Sequence, residues 1–143
     1  MDKIEKKLYT ATVTVEGGRA GRAVSSDGFL DLKLIVPQEL GGPGGDGTNP
    51  EQLFAAGFAA CFEGALGVVL RKKKIKSEGT KITSLVTIGK DVNDGFVLSV
   101  TMDITIKGVE TEVAKQLVEE AHDVCPYSRA TRGNIEFITN VVV

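Results

Sequence analysis

Apolar and polar residues alternate along several stretches of the chain, and each such stretch reads as a half-buried strand. Across residues 7–15, Tyr9, Ala11, Val13 and Val15 point one way, while Thr10, Thr12 and Thr14 point the other. Gly17-Gly18-Arg19-Ala20-Gly21 reads as a turn or mobile loop, and Ser25-Ser26-Asp27-Gly28 as a second turn. Leu30, Leu32, Leu34 and Val36 alternate after it, so the opening segments form a small meander. Two more strands are predicted over residues 82–92 and 96–106, joined by Asn93-Asp94-Gly95 as a hairpin turn. The second places Phe96, Leu98, Val100, Met102, Ile104 and Ile106 on one face. The closing IEFITNVVV is a last strand.

The period changes at Thr48-Asn49-Pro50-Glu51. Asn49 is a capping residue, Pro50 suits the first helical position, and Thr48 with Glu51 has capping-box spacing. The helix ends near Arg71-Lys72-Lys73-Lys74, where cations suit the negative end of its dipole. Its run LFAAGFAACFEGALGVVL is apolar on nearly all sides, more than one sheet can cover, so a partner molecule is expected over the remainder. The length approaches that of a membrane span. Glu63 at mid-run, the many alanines and glycines and the helix-start signal favour a buried helix of a soluble protein instead. A second helix, over residues 111–122, carries Ala114, Leu117, Val118, Ala121 and Cys125 on one face. Pro126 puts Cys125 at the helix end or just past it. GGPGGDG, residues 41–47, lacks the Gly-Lys-Ser/Thr of a phosphate-cradling loop and reads as a flexible lid or linker. The order strands, helix, hairpin, helix, strand predicts an α+β fold with antiparallel sheet, in a single domain over residues 1–143.

With 42% hydrophobic and 25% charged residues in 143, the chain has the makings of a soluble protein with a real core. A net charge of -2 with scattered Lys and Arg leaves no footprint for nucleic acid. The N-terminus MDKIEKKLYT lacks the features of a secretory signal, which predicts a cytoplasmic protein with reduced cysteines. With one histidine and two cysteines, a metal site would need carboxylates to complete it, and none is expected.

The remaining question is whether Cys61 reacts. It lies mid-helix, out of reach of its own helix N-terminus, and apolar burial alone raises a thiol pKa, so a nucleophilic Cys61 needs a cation from elsewhere. Arg19 and Arg22 are the candidates, and Arg19, flanked by glycines, is the better placed. A guanidinium in an apolar site must be paired, with Glu51 or Glu63. Glu51 lies roughly 15 Å before Cys61 along one helix, so the reading is that Arg19 and Glu51 reach the thiolate from a neighbouring subunit. Each residue also has a plainer role: Cys61 and Cys125 as buried hydrophobes, Glu51 as a cap, Arg19 as a loop charge. His122, three residues before Cys125, is either half of a Cys–His pair or a half-exposed structural histidine.

TNPEQLFAAGFAACFEGAL, AHDVCPYSRATRGN and GGRAGRAVSSDG closely resemble the organic hydroperoxide resistance proteins of the OsmC-like superfamily, along nearly the whole chain. The resemblance implies an OsmC-like α+β fold, with antiparallel sheets around two main helices in an intertwined homodimer. It implies a thiol peroxidase that reduces organic and fatty-acid hydroperoxides to alcohols, with no bound cofactor and with a lipoylated protein as the external dithiol reductant. By motif, Cys61 is the peroxidatic cysteine, Cys125 the resolving cysteine that joins it in a disulfide, Arg19 the thiolate-stabilising cation and Glu51 its ion-pair partner. Phe54, Phe58 and Phe62 either line a substrate pocket that favours greasy peroxides or belong to the core. Two rival functions are a non-catalytic dimer that binds apolar ligands and a disulfide-based peroxide sensor.

Overall fold

The computed structural model describes residues 1–142, in two compact units, Met1–Pro50 and Glu51–Val143. In the first, β1 (Val13–Glu16), β2 (Arg22–Ser25) and β3 (Asp31–Lys33) form an antiparallel meander in that order. The first strand is shorter than its alternation predicts, because pairing with β2 ends at Val13 opposite Ser25. β2 escaped the sequence reading because four residues between two turns are too few to display a period. A 3-10 turn, Gly18–Ala20, joins β1 to β2. Gly21 closes it where a Cβ would fall 1.6 Å from the Glu16 carbonyl oxygen, so only glycine fits. At the second turn the Ser25 hydroxyl donates to Asp27 (2.6 Å), and the amides of Phe29 and Leu30 donate to Asp27 and Ser25.

The glycine-rich segment is not the expected lid or linker. Gly42 and Gly44 donate to the carbonyls of Pro37 and Val36, each at 3.1 Å, and a Cβ on Gly42 would lie 2.4 Å from the Val36 Cβ. These glycines allow a tight, hydrogen-bonded loop. Thr48 then donates to the Lys33 carbonyl and accepts from the Ile35 amide, each at 2.9 Å, delivering the chain to the long helix.

That helix, α1 (Pro50–Lys73), starts on the proline and ends on its cations, as predicted. Lys74 takes a left-handed conformation (φ 57°) while its amide bonds to Arg71 O (3.1 Å) and that of Ile75 to Leu70 O (3.0 Å), the double closure of a Schellman end. α1 is long and apolar enough to cross a membrane, with mean hydropathy 1.9. Its Phe58, Phe62, Ala65, Leu66, Val69 and Leu70 are instead core residues, in one cluster with Val100, Met102 and Ile104 of the sheet and Leu117 and Val118 of the second long helix. Val68, on the other side, stays 42% exposed.

β4 (Gly79–Lys90) and β5 (Phe96–Lys107) form the predicted hairpin. The Asp91 carboxylate gathers the amides of Asn93 (2.8 Å) and Gly95 (2.9 Å), and Asp94 bends back at φ 64°. On β5 the predicted face is buried at Val100, Met102, Ile104 and Ile106, but Phe96 runs past the core and is 74% exposed. α2 (Thr111–Val124) buries the predicted Ala114, Leu117, Val118 and Ala121. A short α3 (Pro126–Thr131) follows, and β6 (Glu136–Val141) joins β5 in parallel. The α+β class holds, while the last strand departs from an all-antiparallel sheet. A connection long enough to carry two helices returns the chain to the same end of the sheet, which makes a parallel neighbour.

Candidate active site

Phe54, Phe58 and Cys61 lie on one side of α1, at the three- and four-residue spacings that stack side chains along a helix. Cys125 ends α2 in extended geometry (φ -71°, ψ 117°), the residue before a proline. The fold brings its Sγ to 3.8 Å from that of Cys61, with the Cys125 thiol donating toward it. Both are free thiols; Cys61 is partly exposed and Cys125 fully buried. A disulfide needs a separation of about 2.05 Å, so the pair is close but unbonded.

Pro126 opens α3, and the Tyr127 main-chain N–H then donates to the Cys61 sulfur. The Tyr127 ring lies along α1, where a Cβ on Gly57 would be 3.2 Å from its hydroxyl. Its centroid is 5.6 Å from that of Phe58 and 6.5 Å from that of Phe54, and Phe54 meets Phe58 edge to face at 5.9 Å. Burial pushes the Cys61 thiol pKa up, the Tyr127 amide opposes this, and the neighbouring Cys125 adds to the rise. An ionised Cys61 therefore calls for positive charge.

Arg22 pairs with Asp31 at 2.6 Å across β2 and β3, and Glu63 accepts the Thr80 hydroxyl of β4. Arg19 is partly buried in the 3-10 turn of the first unit, and Glu51 is partly buried in the first turn of α1. Of the three phenylalanines, Phe58 and Phe62 are fully buried and belong to the core, which removes them from an open pocket wall; Phe54 is partly exposed.

His122 does not pair with a cysteine. Its Nδ1 meets the Ser128 hydroxyl at 3.3 Å, and its ring stands edge-on to Phe62 and Phe137 at 4.9 and 4.8 Å. Burial lowers its pKa, with Glu119 pulling the other way. Tyr127 and Ser128 were not singled out from sequence, although Pro126 is a standard first helical residue and announces the turn that holds them.

The family of OsmC-like proteins matches residues 41–140 of the chain. The chain is 56% identical over 133 residues to the organic hydroperoxide resistance protein of Xanthomonas axonopodis pv. citri (strain 306), covering 92% of this chain and 93% of that protein. It is 48% identical over 130 residues to the organic hydroperoxide resistance protein OhrB of Bacillus subtilis (strain 168), covering 90% and 94%. The crystal structure of an organic hydroperoxide resistance protein from Legionella pneumophila, 47% identical, superposes with a TM-score of 0.91 over 96% of this chain and all of that one (100%).

Proposed function

Because the chain belongs to the organic hydroperoxide resistance proteins of the OsmC-like family, we propose that it is a cysteine-based peroxidase that reduces organic and fatty-acid hydroperoxides to alcohols. The observation that carries this reading is the pair of free thiols 3.8 Å apart, one partly exposed and one buried. The Cys61 thiolate attacks the distal peroxide oxygen, the O–O bond breaks, and the departing alkoxide takes up a proton and leaves as the alcohol. Cys61, oxidised by two electrons, is then a sulfenic acid. The Cys125 thiol attacks that sulfur, forming the S–S bond and releasing water. An external dithiol, a lipoylated protein in this reading, becomes oxidised to its own disulfide and restores both thiols. No bound cofactor takes part.

Arg19 is the cation that keeps Cys61 ionised and meets the charge developing on the leaving alkoxide, and Glu51 is its ion-pair partner. In the proposed homodimer both come from the partner subunit. The rise in the Cys61 pKa on burial supports the need for such a cation. Formation of the disulfide removes the sulfur's charge, and the Arg19 turn then swings outward to admit the reductant. Phe54, with the exposed edge of Tyr127, offers the apolar wall for an alkyl chain. The protein acts in the cytoplasm, where dithiol reductants are at hand.

Stopped-flow mixing of the reduced protein with an alkyl hydroperoxide and with hydrogen peroxide tests the proposal, in wild type and in Cys61→Ser. Rapid disulfide formation, faster with the alkyl substrate and absent in the variant, is expected. A wild type inert to both peroxides overturns the enzyme reading and leaves an apolar-ligand-binding dimer.

A further inference from the structure

We propose that His122 and Ser128 form a brace that positions Cys125 for disulfide formation with Cys61. The proposal rests on the peroxidase reading above and assigns a role to two residues beside its resolving cysteine. His122 is the only histidine of the chain. Among the described residues Ser128, 2% exposed, is the one buried residue of polar or charged type. These two meet at 3.3 Å, three residues before and three after Cys125, on the two helices that join there.

A hydroxyl withdrawn from water needs a partner, and a neutral imidazole offers one acceptor and one donor nitrogen. Burial lowers the His122 pKa and so favours that neutral form, against the pull of Glu119. Its ring is set between Phe137 of β6 and Phe62, the residue next to Cys61 on α1. The brace thus ties the α2–α3 elbow to the helix that carries the other sulfur. Arg132, just past α3, adds a second tie by donating to the His122 carbonyl at 2.7 Å.

Chemistry at the elbow demands such control. Cys61 is held by the whole of α1, whereas Cys125 sits where helical geometry breaks. The sulfurs have to close from 3.8 Å to about 2.05 Å when the bond forms. A cavity of about 460 Å³ lies against His122, Ser128, Arg132 and Phe137, and neither cysteine lines it. With the brace cut, the elbow has room to drift into that space and carry Cys125 out of reach. Small misplacements of a reacting group are costly to rate.

Three variants separate the hydrogen bond from mere packing. His122→Phe keeps a ring between Phe62 and Phe137 but removes Nδ1; Ser128→Ala removes the hydroxyl; His122→Asn gives up the ring but retains a polar group near Nδ1. Each protein, checked for folding by circular dichroism, is mixed with one equivalent of tert-butyl hydroperoxide. Loss of the Cys61 thiol, sulfenic acid trapped by dimedone, and disulfide are followed by quenched mass spectrometry. In His122→Phe and Ser128→Ala the Cys61 thiol should be lost at the wild-type rate, while the disulfide forms about tenfold more slowly and trapped sulfenic acid accumulates. His122→Asn should recover most of the disulfide rate. Wild-type disulfide rates in the first two variants overturn the proposal, as does a His122→Asn protein as slow as His122→Phe, which would assign the effect to ring packing. A parallel arm oxidises the same proteins with diamide, which couples the two thiols without peroxide. The same order of rates is expected there, so a wild type inert to peroxide counts against the peroxidase reading while the diamide arm still decides on the brace.

Discussion

Cys61 lies in the middle of a 24-residue helix, while Cys125 lies between two helices in extended backbone. Around Cys61 the main chain is held by turns on both sides, so its sulfur is placed by the helix as a body. Around Cys125 no helix runs through, and its place depends on side-chain contacts and on amides that cross the elbow: its own to Ala121 O (2.9 Å) and that of Arg129 to its carbonyl (3.1 Å). Exposure divides the other way, since the rigidly held sulfur is partly open and the one at the elbow is closed off. A fixed, reachable sulfur suits attack on a substrate, and a buried one at an elbow suits a second step that needs motion. This division of labour is what the proposed chemistry requires, and it is open to test.

The largest effect is expected from Cys125→Ser. Cys61 should still consume one equivalent of hydroperoxide, but turnover with a dithiol should fall to a small fraction of wild type and sulfenic acid should accumulate, as read by dimedone trapping and mass spectrometry. Equal turnover in the variant would erase the distinction between the two sulfurs. Next comes Arg19→Ala, which should remove the charge that holds Cys61 ionised and so raise the Cys61 pKa. The alkylation rate of Cys61 against pH should shift to higher pH, and an unchanged profile would remove Arg19 from the site.

Packing sharpens the same contrast. Leu66 is fully buried one turn beyond Phe62, and Leu66→Ala should cost about 2–5 kcal/mol in urea unfolding. Val124, 45% exposed beside the elbow, should tolerate alanine within about 0.5 kcal/mol. The smallest effect is in pH. The folded pKa of His122 is depressed, chiefly by burial, against the pull of Glu119 and Asp123 and with help from Arg132. The unfolded chain therefore takes up a proton first, so stability should be full above about pH 6.5 and decline as the pH falls below it. Denaturation midpoints measured from pH 7.5 to 5 should drop in wild type and drop less in His122→Asn.

Much of the frame was legible from residue order. Pro50 and the cations after Leu70 marked both ends of α1, alternation found β5, and a helical stripe found the buried face of α2. Pro126 correctly took Cys125 out of the helix. Where the reading failed, the signal was too short or not local. β2 has four residues and α3 has six, below the length at which a period declares itself. The alternation over residues 7–12 was real, but a strand needs a neighbour as well as a pattern. The parallel pairing of β6 depended on where a long connection ended.

The amino-acid sequence by itself determined most of the longer elements, and that one cysteine lies within the long apolar helix and the other at the end of the second helix, because propensity and periodicity act over a few residues. Only the tertiary structure decided that these sulfurs, 64 residues apart in the chain, stand at 3.8 Å, that Tyr127 rather than α1 supplies an amide to Cys61, and that His122 turns to Ser128. Such contacts follow from how whole elements bury their surfaces together, and that is settled by the sum of packing over the unit rather than by any window of residues.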